Sequence, residues 1–107
     1  MCGIAGIIGA SRVNETSVVD MTELMVHRGP DASGFWTSEN GLVSLGHRRL
    51  SILDLSNRAA QPMTAKDGRL TLTYNGEIYN FVELRNKLQQ HGCIFNSNSD
   101  TEVVLQS

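Results

Sequence analysis

The 107-residue sequence predicts an α+β fold, in which short antiparallel strands are mixed with amphipathic helices. Three observations support this fold class. An apolar run bounded by glycines opens the chain, and an Asn-Gly pair joins two strand-like segments further along. Three other segments carry a capping residue followed by apolar residues at helical spacing.

The first strand is predicted over residues 4–8, because a continuous apolar run between glycines is typical of a buried strand. The glycines around it indicate that another part of the chain approaches this backbone closely. A helix is predicted next, with Ser17 as its N-cap and Asp20 three residues later. Residues 28–31 end this helix. Its buried face is expected to consist of Val18, Met21, Leu24 and Met25.

Asn40-Gly41 predicts a hairpin between strands over residues 35–39 and 42–46, since this dipeptide is a strong turn signal. A further half-buried strand is expected over residues 70–74, because apolar and polar residues alternate there. The chain enters this strand through a turn at Asp67-Gly68.

The second helix is predicted to begin at the N-cap Asn80, with Glu83 in the capping-box position, and to stop at Gly92. Its apolar stripe consists of Phe81, Leu84 and Leu88. A short strand is expected over residues 93–95. Ser99 and Glu102 predict a third helix, which has room for about two turns before residue 107. Because so short a helix is marginal alone, we expect the domain to continue beyond these residues.

Composition indicates an ordinary globular domain. Apolar residues make up 40% of the chain, charged residues 19%, and the net charge is −2. Without a basic run, nucleic acid and anionic membranes are not expected partners. No apolar stretch resembles an export signal or a membrane span. Cys2 and Cys93 are therefore expected to be reduced thiols in the cytoplasm.

Cys2 is the strongest candidate for chemistry. Loss of Met1 would place a thiol and a free α-amine on one residue, and such an amine accepts a thiol proton close to neutral pH. A cysteine at the second position is by itself weak evidence for a nucleophile, since it could simply be a small residue at the start of a buried strand. Other segments add an arginine fork, carboxylates and an Asn-Gly pair able to stabilise an oxyanion. These groups together suit an amino acid whose side chain carries an acyl group.

The sequences of these segments resemble the class II glutamine amidotransferase domain found at the N-terminus of glutamine-hydrolysing asparagine synthetases. The resemblance rests on Met-Cys-Gly-Ile at 1–4, His-Arg-Gly-Pro-Asp at 27–31, Arg-Leu-Ser-Ile at 49–52, Gln-Pro-Met at 61–63, Asn-Gly-Glu-Ile-Tyr-Asn at 75–80 and the region to about residue 102. It implies the αββα sandwich of N-terminal-nucleophile hydrolases. Residues 1–107 would supply only the first half of that sandwich and none of the synthetase domain.

The resemblance also implies roles for seven residues. Cys2, freed of Met1, would attack the glutamine carboxamide, and its own amine would carry the proton to the departing ammonia. Asn75 and the Gly76 N–H would stabilise the oxyanion. Arg49, helped by the Ile52 backbone, would hold the substrate carboxylate. The ammonium group would be held by Glu77 and Asp100.

Some of these residues also have a purely structural interpretation. Asn75-Gly76 is ordinary turn chemistry, and Asp100 also suits a helix N-terminus. Arg48 is expected to be a surface charge, and Cys93 a buried apolar residue. Three histidines raise a rival Cys–His dyad, to which the family mechanism gives no role: His27, His47 and His91.

No metal-ligand spacing and no phosphate-loop pattern is present, so no cofactor is expected in this chain. The resemblance places ATP and Mg²⁺ only in the absent synthetase domain. It predicts a glutaminase half-domain that forms glutamate and ammonia, the ammonia passing to an acceptor such as aspartate. The partner would be a synthetase domain or a complementary chain. The alternatives are a non-catalytic remnant and a glutamine-binding or interaction module. The isolated chain is expected to be weakly active or inactive.

Overall fold

The computed structural model of the protein describes residues 1–51 and 56–107. Within these ranges the α+β composition predicted from the sequence is present. The elements are β1 (Gly3–Ile8), α1 (Glu15–Glu23), β2 (Ala32–Thr37), β3 (Val43–Arg49), a 3-10 turn (Asn57–Ala59), β4 (Met63–Thr64), β5 (Thr71–Leu72), α2 (Phe81–Gln90) and α3 (Asp100–Gln106).

β3 is the central strand of a three-stranded antiparallel sheet, with β1 on one side and β2 on the other. In its register Gly3 pairs with Arg48 and Ala32 with Arg49, so β1 begins where β3 ends. The predicted hairpin is confirmed. Gly41 adopts a φ of 72°, and the Asn40 side chain accepts a hydrogen bond from the Leu42 N–H.

β4 and β5 form a separate two-stranded sheet. The predicted turn before β5 is confirmed, since Gly68 has a φ of 74° and the Asp67 side chain accepts from the Arg69 N–H. The strand itself is shorter than the predicted 70–74. The N–H of Tyr74 donates to the Gln61 side chain at 2.6 Å rather than to a neighbouring strand.

The prediction that β1 is buried on both faces is wrong. Gly3 is buried, but Ile4 is 47% and Ile8 81% exposed. Only one face of the sheet packs against α1, and a Cβ on Gly46 in β3 would overlap the Thr22 hydroxyl of that helix. The opposite face presents Ile4 and Ile8 to solvent in this chain.

α1 begins and packs differently from the prediction. Its N-cap is Asn14, whose side chain accepts from the Thr16 N–H, and not Ser17. Its fully buried residues are Val18 and Thr22. Thr22 takes this position because its hydroxyl donates to the Val18 carbonyl at 2.7 Å and needs no further partner. Two residues predicted to be buried are exposed instead: Met21 and Leu24.

α2 and α3 begin at the predicted caps. In the described part of the chain the Asn80 side chain makes no capping bond, whereas Ser99 accepts from the Thr101 N–H. Gly92, with a φ of 93°, ends the turn after α2 as predicted. Residues 93–95 do not form a strand and Cys93 is only half-buried, so those two predictions are wrong.

Arg48 is buried and is not the predicted surface charge. Its Nε donates to the Gly29 carbonyl at 2.9 Å, and its Nη1 lies 3.4 Å from the Glu23 carboxylate. Arg48 therefore ties β3 to the end of α1 and to the segment after it. No helix in the described ranges is long and apolar enough to cross a membrane.

Candidate functional site

A cavity of about 540 Å³ lies where β1 begins, β3 ends, and the segment before α2 meets the N-terminus of α3. Its volume is within the range of small-molecule sites. Six of the seven predicted site residues line it: Cys2, Arg49, Asn75, Gly76, Glu77 and Asp100. The seventh, Ile52, lies outside the described residues.

Cys2 is held just before β1 by hydrogen bonds with Leu50 and Arg28. Its Sγ accepts a hydrogen bond from the Leu50 N–H at 3.3 Å, and the Leu50 carbonyl lies 3.7 Å from the sulfur. The Arg28 Nε donates to the Cys2 carbonyl at 3.2 Å. Met1 also lines the cavity, and while it is attached the nitrogen of Cys2 is an amide.

Arg49 reaches the cavity because it is the last residue of β3. Its Nη1 donates to the Ser56 carbonyl at 2.9 Å, and its own carbonyl accepts from the Asp31 N–H at 3.0 Å. A guanidinium group has five N–H donors in a planar fork. Arg49 can therefore keep the Ser56 bond and still bind a carboxylate in the cavity.

Asn75, Gly76 and Glu77 form an exposed segment at the mouth of the cavity. A Cβ on Gly76 would lie 2.6 Å from the Tyr74 hydroxyl, so a larger residue here would require the Tyr74 ring or the segment itself to shift. The segment is held at its far end, where the Ile78 N–H donates to Asp100 at 3.0 Å.

Asp100 is the first residue of α3 and is only 6% exposed. One of its oxygens accepts the Ile78 hydrogen bond, which leaves acceptor capacity for a ligand ammonium group. Burial, followed by the negative charges of Asp100 and Glu77, raises the pKa of Tyr74 above its ordinary value. Tyr74 lines the same cavity as these two carboxylates.

None of the three histidines is among the described residues that line the cavity. His47 is buried in β3, and its Nδ1 lies 3.0 Å from the Thr73 hydroxyl. Burial, followed by the positive charge of Arg49, lowers the pKa of His47 to about 4. Within residues 1–51 and 56–107 no group of three or more His, Cys, Asp or Glu side chains could hold a metal ion.

Several residues of the site were given no role from the sequence. Arg28 holds the Cys2 carbonyl, and Leu50 holds its sulfur. Gln61, Tyr74 and Thr101 also line the cavity. Arg28 and Gln61 lie in the motifs at 27–31 and 61–63. Leu50 contacts Cys2 through its backbone, so the identity of its side chain does not indicate this role.

The arrangement suits a zwitterionic amino acid. The Arg49 guanidinium can pair with a carboxylate, and the carboxylates of Glu77 and Asp100 can pair with an ammonium group. A thiol and the amide donors of Asn75 and Gly76 border the same space. The side chain of such a ligand would therefore meet a nucleophile and hydrogen-bond donors.

Comparison with known proteins agrees with this chemistry. Residues 1–107 match the family described as the glutamine amidotransferase domain. Asparagine synthetase (glutamine-hydrolyzing) 1 of Bacillus subtilis is 41% identical over 110 residues, which cover 98% of this chain and 17% of the relative. The protein of the same name from Arabidopsis thaliana is 38% identical over 107 residues, covering 97% and 18%.

Amidase chry2 of Gibberella zeae is 40% identical over 117 residues, covering 98% of this chain and 17% of the relative. The chain thus spans less than a fifth of the length of these curated relatives. The match to the family nevertheless extends over every residue. The chain belongs to the glutamine amidotransferase domain family.

Proposed function

We propose that this chain is the glutamine-hydrolysing part of an asparagine-synthetase-like amidotransferase. The observation that carries the proposal is the single cavity shared by the Cys2 thiol, the Arg49 guanidinium and the Asp100 carboxylate. The fold is proposed to be the first half of an αββα sandwich. α1 on the three-stranded sheet supplies one helix layer and one sheet, and β4–β5 begins the other sheet.

In this proposal the substrate is bound by its α-substituents. Arg49 pairs with the glutamine carboxylate, and the Ile52 backbone contributes on the strength of the family resemblance alone. Glu77 and Asp100 bind the ammonium group. These contacts leave the side-chain carboxamide directed towards Cys2, where it is held close to the nucleophile.

The chemistry begins after Met1 has been removed. The α-amine of Cys2 takes the thiol proton, and the sulfur attacks the carboxamide carbon. The Asn75 side chain and the Gly76 N–H donate hydrogen bonds to the resulting oxyanion, a contact worth ~10²–10³ in rate per donor. The C–N bond then breaks, ammonia leaves with the proton from the amine, and water hydrolyses the glutamyl thioester to glutamate.

Transfer of the ammonia to aspartate is proposed to need a synthetase domain, either in a longer protein or in a complementary chain. That domain would use ATP and Mg²⁺. The exposed Ile4 and Ile8 support the alternative that the isolated chain is a non-catalytic remnant, because a sheet face that is only partly covered leaves the site less rigid. A cytoplasmic location stays a prediction.

Calorimetric titration with L-glutamine tests the proposal, using Cys2→Ala so that no turnover occurs. We expect L-glutamine to bind and D-glutamine to bind at least tenfold more weakly, since the two charged clamps and the side-chain carboxamide together make three contacts around Cα. Glu77→Gln should weaken binding about tenfold, because a charged hydrogen bond contributes ~1.5–3 kcal/mol.

Glu39→Gln, which changes an exposed carboxylate in the hairpin turn, is the matched control and should leave affinity unchanged. Equal binding of both enantiomers, or no binding of L-glutamine, would contradict the proposal.

A further inference from the structure

The side chain of Gln61 joins two segments of the site that are far apart in the sequence. Its Oε1 accepts a hydrogen bond from the Tyr74 N–H at 2.6 Å, and its Nε2 donates to the Thr101 hydroxyl at 3.1 Å. Tyr74 immediately precedes the Asn75-Gly76 pair, and Thr101 immediately follows Asp100. One amide therefore links the oxyanion donors to the helix terminus that binds the ammonium group.

The backbone of Gln61 is fixed on the sheet that carries the rest of the site. Its carbonyl oxygen lies so close to Gly34 of β2 that a Cβ at position 34 would overlap it. β2 is hydrogen-bonded to β3, which ends in Arg49, and β3 in turn pairs with β1 beside Cys2. Gln61 thus has the sheet on one side and two cavity segments on the other.

The hydrogen bonds of Gln61 use both ends of its amide. The carbonyl oxygen accepts from a backbone N–H, and the NH₂ group donates to the hydroxyl of the buried Thr101 on the cavity wall. Methionine has almost the same length and shape, but it has no donor for the Thr101 hydroxyl and only a weak thioether acceptor for the Tyr74 N–H. The second link between the two segments, from Ile78 to Asp100, lies four residues beyond Tyr74 and cannot hold the start of the Asn75-Gly76 pair by itself.

We propose that Gln61 is a positioning residue, whose amide sets the Asn75-Gly76 oxyanion donors against Asp100. The role rests on the proposed function of the cavity. Gln61 takes no part in bond making. Its loss is expected to lower the rate of attack more than the affinity for the ligand, because Arg49, Glu77 and Asp100 stay in place while the donors shift.

The test measures amide hydrogen exchange and covalent labelling on the same des-Met chain. In Gln61→Met we expect the Tyr74 amide to exchange at least tenfold faster than in the unmodified chain. The limiting rate at which 6-diazo-5-oxo-norleucine labels Cys2 should fall about tenfold, with less than a threefold change in the half-saturating concentration. Gln90→Met, on the exposed side of α2, is the control for introducing methionine.

Thr101 supplies a matched pair that preserves packing. Thr101→Val removes the acceptor hydroxyl at constant shape and should slow labelling, while Thr101→Ser retains the hydroxyl and should not. Because both bonds belong to one link, Gln61→Met combined with Thr101→Val should be no slower than Gln61→Met alone.

Unchanged Tyr74 exchange in Gln61→Met, or slowing that multiplies in the double variant, would overturn the proposal. If the unmodified chain is not labelled while Tyr74 exchange still rises in Gln61→Met, the proposed glutamine site fails and the Gln61 link stands.

Discussion

The backbone N–H of Leu50 donates a hydrogen bond to the sulfur of Cys2 at 3.3 Å. This contact exists because Gly3 pairs with Arg48, so that the start of β1 lies beside the residues that follow β3. The candidate nucleophile is thereby placed next to Arg49, the candidate carboxylate clamp. Strand register, and not proximity in sequence, assembles this side of the cavity.

Replacing Arg28 by methionine should slow covalent labelling of Cys2 by 6-diazo-5-oxo-norleucine about tenfold. The reason is that the Cys2 carbonyl would lose a charged hydrogen-bond donor at 3.2 Å, a bond worth ~1.5–3 kcal/mol. Labelling rates followed by intact mass measure the effect. Arg69→Met, at an exposed turn, is the control, and equal rates for the two variants would show that Arg28 does not position Cys2.

Arg48→Met should destabilise the fold by ~1–3 kcal/mol, because the Gly29 carbonyl would lose its donor in a buried environment. Glu23→Gln should cost less than about 1 kcal/mol, since the ion pair of Glu23 with Arg48 is largely solvent-exposed on the carboxylate side. Urea unfolding of both variants measures the difference. Equal losses would mean that the ion pair, and not the buried hydrogen bond, is the important contact.

The free energy of unfolding should fall as the pH is lowered from about 6.5 to about 4. Unfolded His47 binds a proton near its ordinary pKa of 6.5, whereas burial and Arg49 lower its pKa in the fold to about 4. Over that interval the unfolded state binds more protons, so acid favours unfolding. The contribution of His47 reaches at most about 3 kcal/mol below pH 4.

Urea unfolding of the chain and of His47→Gln across this pH range measures that contribution. The variant keeps a hydrogen-bonding side chain towards Thr73 but does not titrate. Its stability should depend less on pH than that of the unmodified chain. Parallel pH curves for the two proteins would assign the acid sensitivity to other groups.

Gly76→Ala should slow labelling of Cys2 at least tenfold while lowering stability by less than about 1 kcal/mol. An added Cβ would lie 2.6 Å from the Tyr74 hydroxyl, and we expect the exposed Asn75-Gly76 segment, which contributes little to the core, to shift away from the ring. Labelling and unfolding of the same sample separate the two effects. Labelling at the original rate would contradict the expected displacement of the Gly76 N–H by the added Cβ.

Turn and cap chemistry made part of this fold predictable. Asn40-Gly41, Asp67-Gly68 and Ser99 each act through bonds to their own neighbours, so residue type alone indicates the structure. Burial was harder to predict. Thr22 is buried where Leu24 was expected, because the space above Gly46 suits a small residue that bonds to its own helix.

The site residues were predicted from short sequence motifs. These residues line one cavity because of the strand register, which the motifs do not specify. The side chains of Gln61 and Arg28 bond to backbone atoms of other segments, and Leu50 uses its own backbone N–H to hold the Cys2 sulfur. Such contacts link residues far apart in the chain and leave no periodic pattern. Their positioning roles therefore became visible only in three dimensions.

The most direct test of the glutamine site is the mass of the des-Met chain after exposure to 6-diazo-5-oxo-norleucine, with Cys2→Ala and a Met1-retaining form beside it. The cavity predicts one adduct on Cys2, absent from Cys2→Ala and strongly reduced where Met1 blocks the α-amine. No adduct on the des-Met chain, or equal labelling of the Met1-retaining form, would contradict a glutamine site built around an N-terminal cysteine.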